Sequence, residues 1–309
     1  MIVQKTKWQM EGKTMEYTLE NEYLTVKVST TGGVLTSIKS KKEGLEYLWQ
    51  GDPTYWANQA PLLFPICGSI RNNEAIVGDN KETKMKRHGI VRGKEFSCEQ
   101  QSRHSITMAI MSDDEMTEQF PFAAKLAVTY TLDGHSVIQK FTVDNLEEEE
   151  IMPFFVGGHP AFNCPIVPGD DYTDYYVEFE KEETCSVPEQ LTETGLLNLQ
   201  NRTDFLKGTK RLPLSFELFA KDAITFDELQ SRSVKLASDK HEHSVQIDFA
   251  EFPYLILWTT ANKGPFLAIE PWLGLSTCSD EGDQFEEKRN VQFAAPGESR
   301  SYSFTITIS

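Results

Sequence analysis

Leu126-Ala-Val-Thr-Tyr-Thr-Leu-Asp-Gly-His-Ser-Val-Ile-Gln-Lys-Phe-Thr-Val143 carries the signal that decides the fold. Leu126, Val128, Tyr130 and Leu132 recur with a period of two, Asp133-Gly134 interrupts as a turn, and the alternation resumes through Val137, Gln139, Phe141 and Val143. A period of two sends successive side chains to opposite faces of a strand, so the stretch reads as half-buried β-structure folded back on itself. The same alternation returns at Leu24, Val26, Val28; at Ile106, Met108, Ile110; at Tyr175, Val177, Phe179; at Val245, Ile247, Phe249; and at Tyr302, Phe304, Ile306, Ile308. Many short strands separated by turns such as Gly32-Gly33 predict an all-β fold, a large antiparallel β-sandwich with a few short helices. Lys210 to Ala220 and Asp283 to Lys288 have room for a helical turn or two each, too little to cover a parallel sheet. With no linker, repeat or change of composition, residues 1–309 read as a single domain.

Composition narrows the function. The 309 residues are 39% hydrophobic, enough for an ordinary core, and carry a formal charge of -17. That charge would repel nucleic acid and anionic membranes at long range, while a small neutral ligand would not feel it. No charged-then-apolar leader and no run of about 18 apolar residues is present, so a cytosolic protein is expected. Cys67, Cys98, Cys164, Cys185 and Cys278 are scattered without a Cys-x-x-Cys pair and read as reduced, mostly small buried hydrophobes. In that compartment the sequon at Asn201 means nothing, and Glu147 to Glu150 reads as a solvated loop.

Three punctuated sites mix polar with apolar residues. Leu62 to Asn73 runs through Pro65 and Gly68 to Arg71, Asn72 and Asn73, a source of hydrogen-bond donors at a cavity edge; shortly after, His88 stands in Lys86-Arg87-His88-Gly89-Ile90-Val91-Arg92-Gly93. In Val156-Gly-Gly-His-Pro-Ala-Phe-Asn-Cys-Pro165, two glycines and a proline bend the backbone around His159. In Phe266-Leu-Ala-Ile-Glu-Pro-Trp-Leu-Gly274, Glu270 ends an apolar run beside Pro271 and Trp272. A partly desolvated carboxylate gains proton affinity and becomes suited to base work near neutral pH, and the adjacent indole offers a face for a sugar ring. Tyr55-Trp56 and Phe120-Pro121-Phe122 read equally as core or cavity wall, and His241-Glu-His243, with both imidazoles on one strand face, resembles half of a metal site, while Lys240 and Glu242 around it read as an exposed loop. A phosphate loop, a dinucleotide fingerprint and a serine-hydrolase elbow are all missing.

With Asn21-Glu-Tyr-Leu-Thr-Val, Asp52-Pro-x-Tyr-Trp, Phe64-Pro-Ile-Cys-Gly-Ser-x-Arg-Asn, His88-Gly-x-Val-Arg, Gly158-His-Pro-Ala-Phe-Asn and Ile269-Glu-Pro-Trp-x-Gly in this order, the chain resembles the aldose 1-epimerase (galactose mutarotase) family. The resemblance is strongest to the branch found beside lactose-utilisation genes in Gram-positive bacteria. It implies a large β-sandwich with its site in an open cleft. It implies an isomerase that interconverts the α and β anomers of free aldohexoses such as galactose or glucose, with no cofactor and no metal. Glu270 is then the general base at the anomeric hydroxyl, His159 the general acid at the ring oxygen, and His88 and Arg71 hold hydroxyls. The family's substrate-binding aspartate falls on Asp222 in Lys-Asp-Ala-Ile-Thr-Phe, with Asp227 and Asp248 as alternatives, because the family pattern is lost between about residues 165 and 245. Two readings from other classes stand beside this one: a non-catalytic sugar-binding or sugar-sensing protein on the same fold, and a metal enzyme using His241 and His243.

Overall fold

The computed structural model describes residues 14–78 and 80–309. The hairpin quoted above forms as its periodicity requires. Strand Ala124–Asp133 pairs antiparallel with Ser136–Asn145, setting Leu132 against Val137, Tyr130 against Gln139, Val128 against Phe141 and Leu126 against Val143. Asp133 already pairs with Ser136, so Gly134 and His135 make the loop, with Gly134 at φ +55°, where a β-carbon would be strained.

These strands belong to a nine-stranded sheet whose order across its width is Leu196–Pro213, Tyr175–Leu191, Ser233–Ser238, Val245–Asp248, Ser299–Ile308, Ser136–Asn145, Ala124–Asp133, Ser105–Met111 and Ser97–Gln101. A six-stranded sheet is built on Phe266–Trp272, flanked on one side by Tyr254–Trp258 and Ile224–Phe226. Gly157–Gly158, Leu62–Leu63 and Ala161–Asn163 complete it on the other. Every ladder between these strands is antiparallel.

The two sheets meet through their apolar rows. Phe304 lies so close to Gly158 that a β-carbon there would come within 2.6 Å of its ring, and Phe179 meets Phe226 edge-on at 5.7 Å. Burying side chains of this size contributes about 1.5–3 kcal/mol each, so the interface between the sheets is a principal source of stability. A three-stranded sheet, Glu16–Glu20, Leu24–Ser29 and Leu35–Ser40, is tied on by the buried Tyr130 hydroxyl, which donates to the Gly33 carbonyl at 2.9 Å.

The helical expectations are corrected in part. From Lys210 to Pro213 the chain is strand, because Arg211, Leu212 and Pro213 pair with Glu178, Val177 and Tyr176, and backbone pairing to a neighbour overrides local preference. Within the two stretches expected to turn, only Phe216–Phe219 and Phe285–Glu287 do so, as 3-10 segments, and the α-helix of the described chain is Asp114–Gln119, capped by Asp113, whose carboxylate accepts from the Met116 N–H at 2.8 Å. No helix among the described residues is long and apolar enough to cross a membrane.

Candidate active site

Strand Phe266–Trp272 carries Ala268, Glu270 and Trp272 on one face, since residues two apart share a side. Their cross-strand partners are Trp258, Ile256 and Tyr254. Trp258, Ile256, Glu270 and Trp272 together form the floor of a cleft of about 250 Å³. The second wall comes from the bend after Gly157–Gly158. The ring of Phe304 leaves no space for a side chain at Gly158, the His159 N–H is held by the Pro61 carbonyl at 3.1 Å, and the imidazole is thereby set against the carboxylate.

His159 Nε2 lies 3.3 Å from Glu270 Oε1, and Trp272 Nε1 donates to Glu270 Oε2 at 3.1 Å. Glu270 is 1% exposed and His159 7%. Burial raises Glu270 well above the ordinary carboxylate range, opposed by the positive charge of Arg87 and the Trp272 hydrogen bond and assisted by Asp222. Burial likewise pushes His159 far below the usual imidazole value, a direction that Arg92 and Arg87 reinforce. Trp56 stacks on the His159 ring at 4.9 Å and offers its π-face to an imidazolium, while Trp258 meets it edge-on at 5.6 Å. Trp56 is itself fixed from behind, stacked on Phe266 and hydrogen-bonded through its carbonyl to Trp49 Nε1 at 2.8 Å. The two aromatic motifs therefore divide: Trp56 of Tyr55-Trp56 is cavity wall, and Phe120 and Phe122 are core.

His88 enters on a tight turn. It sits at φ +73°, and Gly89 follows at φ +85°, where a β-carbon would fall 2.0 Å from the Phe64 carbonyl oxygen. Only glycine permits that approach, and a non-glycine residue at positive φ is strain held in place by its surroundings. The Gly68 N–H donates to His88 Nδ1 at 3.2 Å, which assigns the ring proton to Nε2 and leaves the imidazole with one outward donor. Burial, with His159, Arg87 and Arg92 nearby, keeps His88 neutral by holding it well below the usual value. Asp222, also strained at φ +95°, and Ala223 reach the cleft from the segment before Ile224–Phe226, and Asp222 Oδ2 stands 3.6 Å from Arg87 Nη1.

The family model described as aldose 1-epimerase matches residues 15–294. The chain belongs to the aldose 1-epimerase family. It is 50% identical over 298 residues, covering 95% of this chain and 99% of the relative, to Protein LacX of Lactococcus lactis subsp. lactis, in both the plasmid and the chromosomal form. Among solved structures, a galactose mutarotase related enzyme from Lactobacillus acidophilus superposes with TM-score 0.89 at 30% identity over 96% of this chain and 97% of that one. A galactose mutarotase-like protein from Lactobacillus casei gives TM-score 0.87 at 28% identity over 96% and 100%.

Of the residues nominated from sequence, the structure gathers Glu270, His159, His88 and Asp222 at one cleft. Arg71 lies elsewhere: it pairs with Asp283 at 2.7 Å, donates to the Glu281 carbonyl at 2.8 Å and lines a separate surface hollow. The arginines at the cleft are Arg87 and Arg92, which flank His88-Gly89 in sequence and whose spacing about that turn was the signal available for finding them. Trp258, at the end of an unbroken apolar run, gave no signal of its own. Asp227 is bound by Arg202 at 2.8 Å, and Asp248 accepts from Gln246 at 3.0 Å; neither lines the cleft. His241 and His243 lie beyond strand Ser233–Ser238 in the bend leading to Val245–Asp248, so the loop reading of this stretch holds and the shared strand face does not. His241 Nε2 meets Asp170 Oδ2 at 3.0 Å and the Tyr175 hydroxyl at 2.9 Å, while His243 Nδ1 faces the Ser309 carbonyl at 3.2 Å. Among the described residues no group of three or more His, Cys, Asp or Glu side chains is placed to hold a metal ion.

Proposed function

We propose that this cleft interconverts the α and β anomers of an aldohexose by acid–base ring opening and reclosure. The observation that carries the reading is the buried carboxylate–imidazole pair, Glu270 Oε1 to His159 Nε2 at 3.3 Å, at the floor of a cleft walled by Trp56, Trp258 and Trp272. The two oxygens that exchange protons, O1 and the ring oxygen O5, share the carbon C1, so a base and an acid this close together can address both at once.

Glu270 takes the proton from O1 as the C1–O5 bond breaks, and His159 gives its proton to O5. Rotation about C1–C2 turns the aldehyde over, and closure runs the same transfers backwards on the opposite face. Before opening, the pair is carboxylate and imidazolium; after opening, it is carboxylic acid and neutral imidazole. Burial favours the second state, and Arg92 and Arg87 add to it by opposing the imidazolium; the carboxylate of the first state is favoured by Arg87 and the Trp272 N–H, and its imidazolium by the Trp56 face. The His88 Nε2–H donor and the Asp222 carboxylate are the substrate-orienting groups, and the indoles take the apolar face of the ring.

The test is exchange NMR between the α and β anomeric protons of glucose and galactose at equilibrium, with polarimetry on freshly dissolved α-anomers alongside. Each proton-transfer partner is worth about 10² to 10⁴ in rate, so Glu270→Gln and His159→Asn are expected near background. A protein that binds these sugars without accelerating exchange of any aldose would instead be a sugar-binding protein on this fold.

A further inference from the structure

Nine arginines occupy this chain of net charge -17. Six of them, Arg71, Arg103, Arg202, Arg211, Arg289 and Arg300, are neutralised by carboxylates at 2.7 to 3.3 Å. Arg232 gives its guanidinium to the Leu229 and Ser231 carbonyls at 2.8 Å. The two that remain are the two at the cleft. Arg87 has only the 3.6 Å approach of Asp222, and Arg92 meets no carboxylate and no hydrogen-bond acceptor among the described residues. In a protein with 47 acidic residues, leaving these two cations uncommitted at the mouth of the site sets apart a place for a negative charge brought by something else.

Arg92 also stands at the border between the cleft and a second hollow of about 220 Å³, the two sharing Arg92 and Pro61. That hollow is lined by hydroxyl and amide groups, including Thr31, Thr36, Asn58 and Gln59, and no carboxylate is in its lining. Glu95 and Glu16 touch it only indirectly, as acceptors for Thr31 and Thr36 at 3.1 and 3.0 Å. A ring seated with O1 and O5 on the Glu270–His159 pair carries its C6 branch next to O5, so a group on C6 projects from the His159 side of the pair. Arg92 contributes to the electrostatics of His159, with Arg87, and Arg87 alone of the two to those of Glu270.

We propose that Arg92, supported by Arg87, is a specificity-determining pair that binds an anionic group on C6 of the aldose, a phosphate or a carboxylate, held between the cleft and the adjoining hollow. This rests on the anomer-interconverting reading of the site and narrows its substrate class from neutral to anionic hexoses. Guanidinium is the side chain suited to the task, because its planar donors meet phosphate or carboxylate oxygens two at a time.

The experiment measures kcat/KM for anomer exchange on glucose and galactose, on their 6-phosphates, and on glucuronate and galacturonate, for wild type, Arg92→Gln, Arg92→Lys and Arg87→Gln. Wild type is expected to prefer one anionic set over the neutral hexoses by about 10-fold or more, and R92Q to lower that ratio by about 10- to 100-fold, mainly through KM. R92K is expected to restore part of the loss, since it keeps the charge without the fork. The set whose ratio collapses identifies phosphate or carboxylate as the group bound. A ratio unmoved by R92Q, or a wild type that prefers the neutral hexoses, overturns the proposal. Titration calorimetry with the 6-phosphates and with inorganic phosphate separates this proposal from the reaction reading. If no aldose is turned over, Arg92-dependent binding still upholds the anion site, and binding indifferent to R92Q removes it.

Discussion

Replacing Glu270 with Gln separates what this carboxyl does for the reaction from what it costs the fold. In the native protein it is 1% exposed, with Trp272 Nε1 at 3.1 Å and His159 Nε2 at 3.3 Å as its polar neighbours, where a carboxylate has about four lone-pair sites to fill. Its native pKa therefore lies well above the unfolded value of about 4.3. A raised native pKa means that the folded state holds the proton more tightly than the unfolded chain does. The resulting stability is complete below about pH 4.3 and is lost as pH rises through the native pKa, at up to about 1.4 kcal/mol per pH unit. Gln is nearly isosteric, keeps an oxygen to accept from Trp272, and has no such slope. His159 contributes in the opposite direction: its pKa is depressed, so the stability tied to its neutral form is present above about pH 6.5 and lost as pH falls. That contribution is common to both proteins. The unfolding free energy of E270Q relative to wild type, from urea titrations between about pH 5 and 8, is thus expected to grow with pH and level off above the native pKa. Over the same range kcat/KM for anomer exchange falls by about 10² to 10⁴, and the decline of wild-type activity as Glu270 gives up the proton shared by the pair disappears. A stability difference that stays flat with pH, or a variant retaining more than about a tenth of wild-type activity, would refute the assignment.

Trp272→Phe removes the donor that holds the Glu270 pKa down, so the alkaline limb of the wild-type pH–rate profile, where the pair loses its shared proton, is expected to move to higher pH. Gly89→Ala places a β-carbon 2.0 Å from the Phe64 carbonyl oxygen at φ +85°, and guanidinium unfolding should show a loss of at least about 2 kcal/mol. Arg71→Ala breaks contacts to Asp283 and the Glu281 carbonyl away from the cleft; a loss of about 1–2 kcal/mol in stability with kcat/KM within about threefold of wild type is expected.

The sandwich was legible because the strands bury one face each, and a half-buried strand writes itself as a period of two; Leu126 to Leu132 and Tyr302 to Ile308 are the plainest cases. The hairpin Tyr175–Leu191 with Leu196–Pro213 was legible only at its start, Tyr175 to Phe179, because beyond it the ladder shifts register at several points and long parts face solvent, which erases the alternation. Glu270 announced itself by standing charged inside an apolar run, and His159 by the glycines that a close approach to Phe304 demands. The arginines could not be ranked this way. Arg71, Arg87 and Arg92 are all polar residues near turns, and which of them points into the cleft is set by positive-φ backbone at Asn72, Asn73, His88 and Gly89, a property of the folded chain. Trp56 carried the same ambiguity, since an indole packed on Phe266 is core from one side and cavity wall from the other.

The order of the nine-stranded sheet has a consequence for how the molecule is made. Ser299–Ile308, the latest of these strands in the chain, lies at the centre of the sheet, between Ser136–Asn145 and Val245–Asp248. While the chain is being synthesised, both of those neighbours emerge long before the strand that joins them, and each presents an unpaired edge and an uncovered apolar row until it arrives. Closure of the sheet is therefore a late, long-range event rather than a progressive zipping from the N-terminus. The pocket side of Gly158, which rests on Phe304 of that same strand, is finished only then, so the reactive pair waits for the last strand of the sheet to be made.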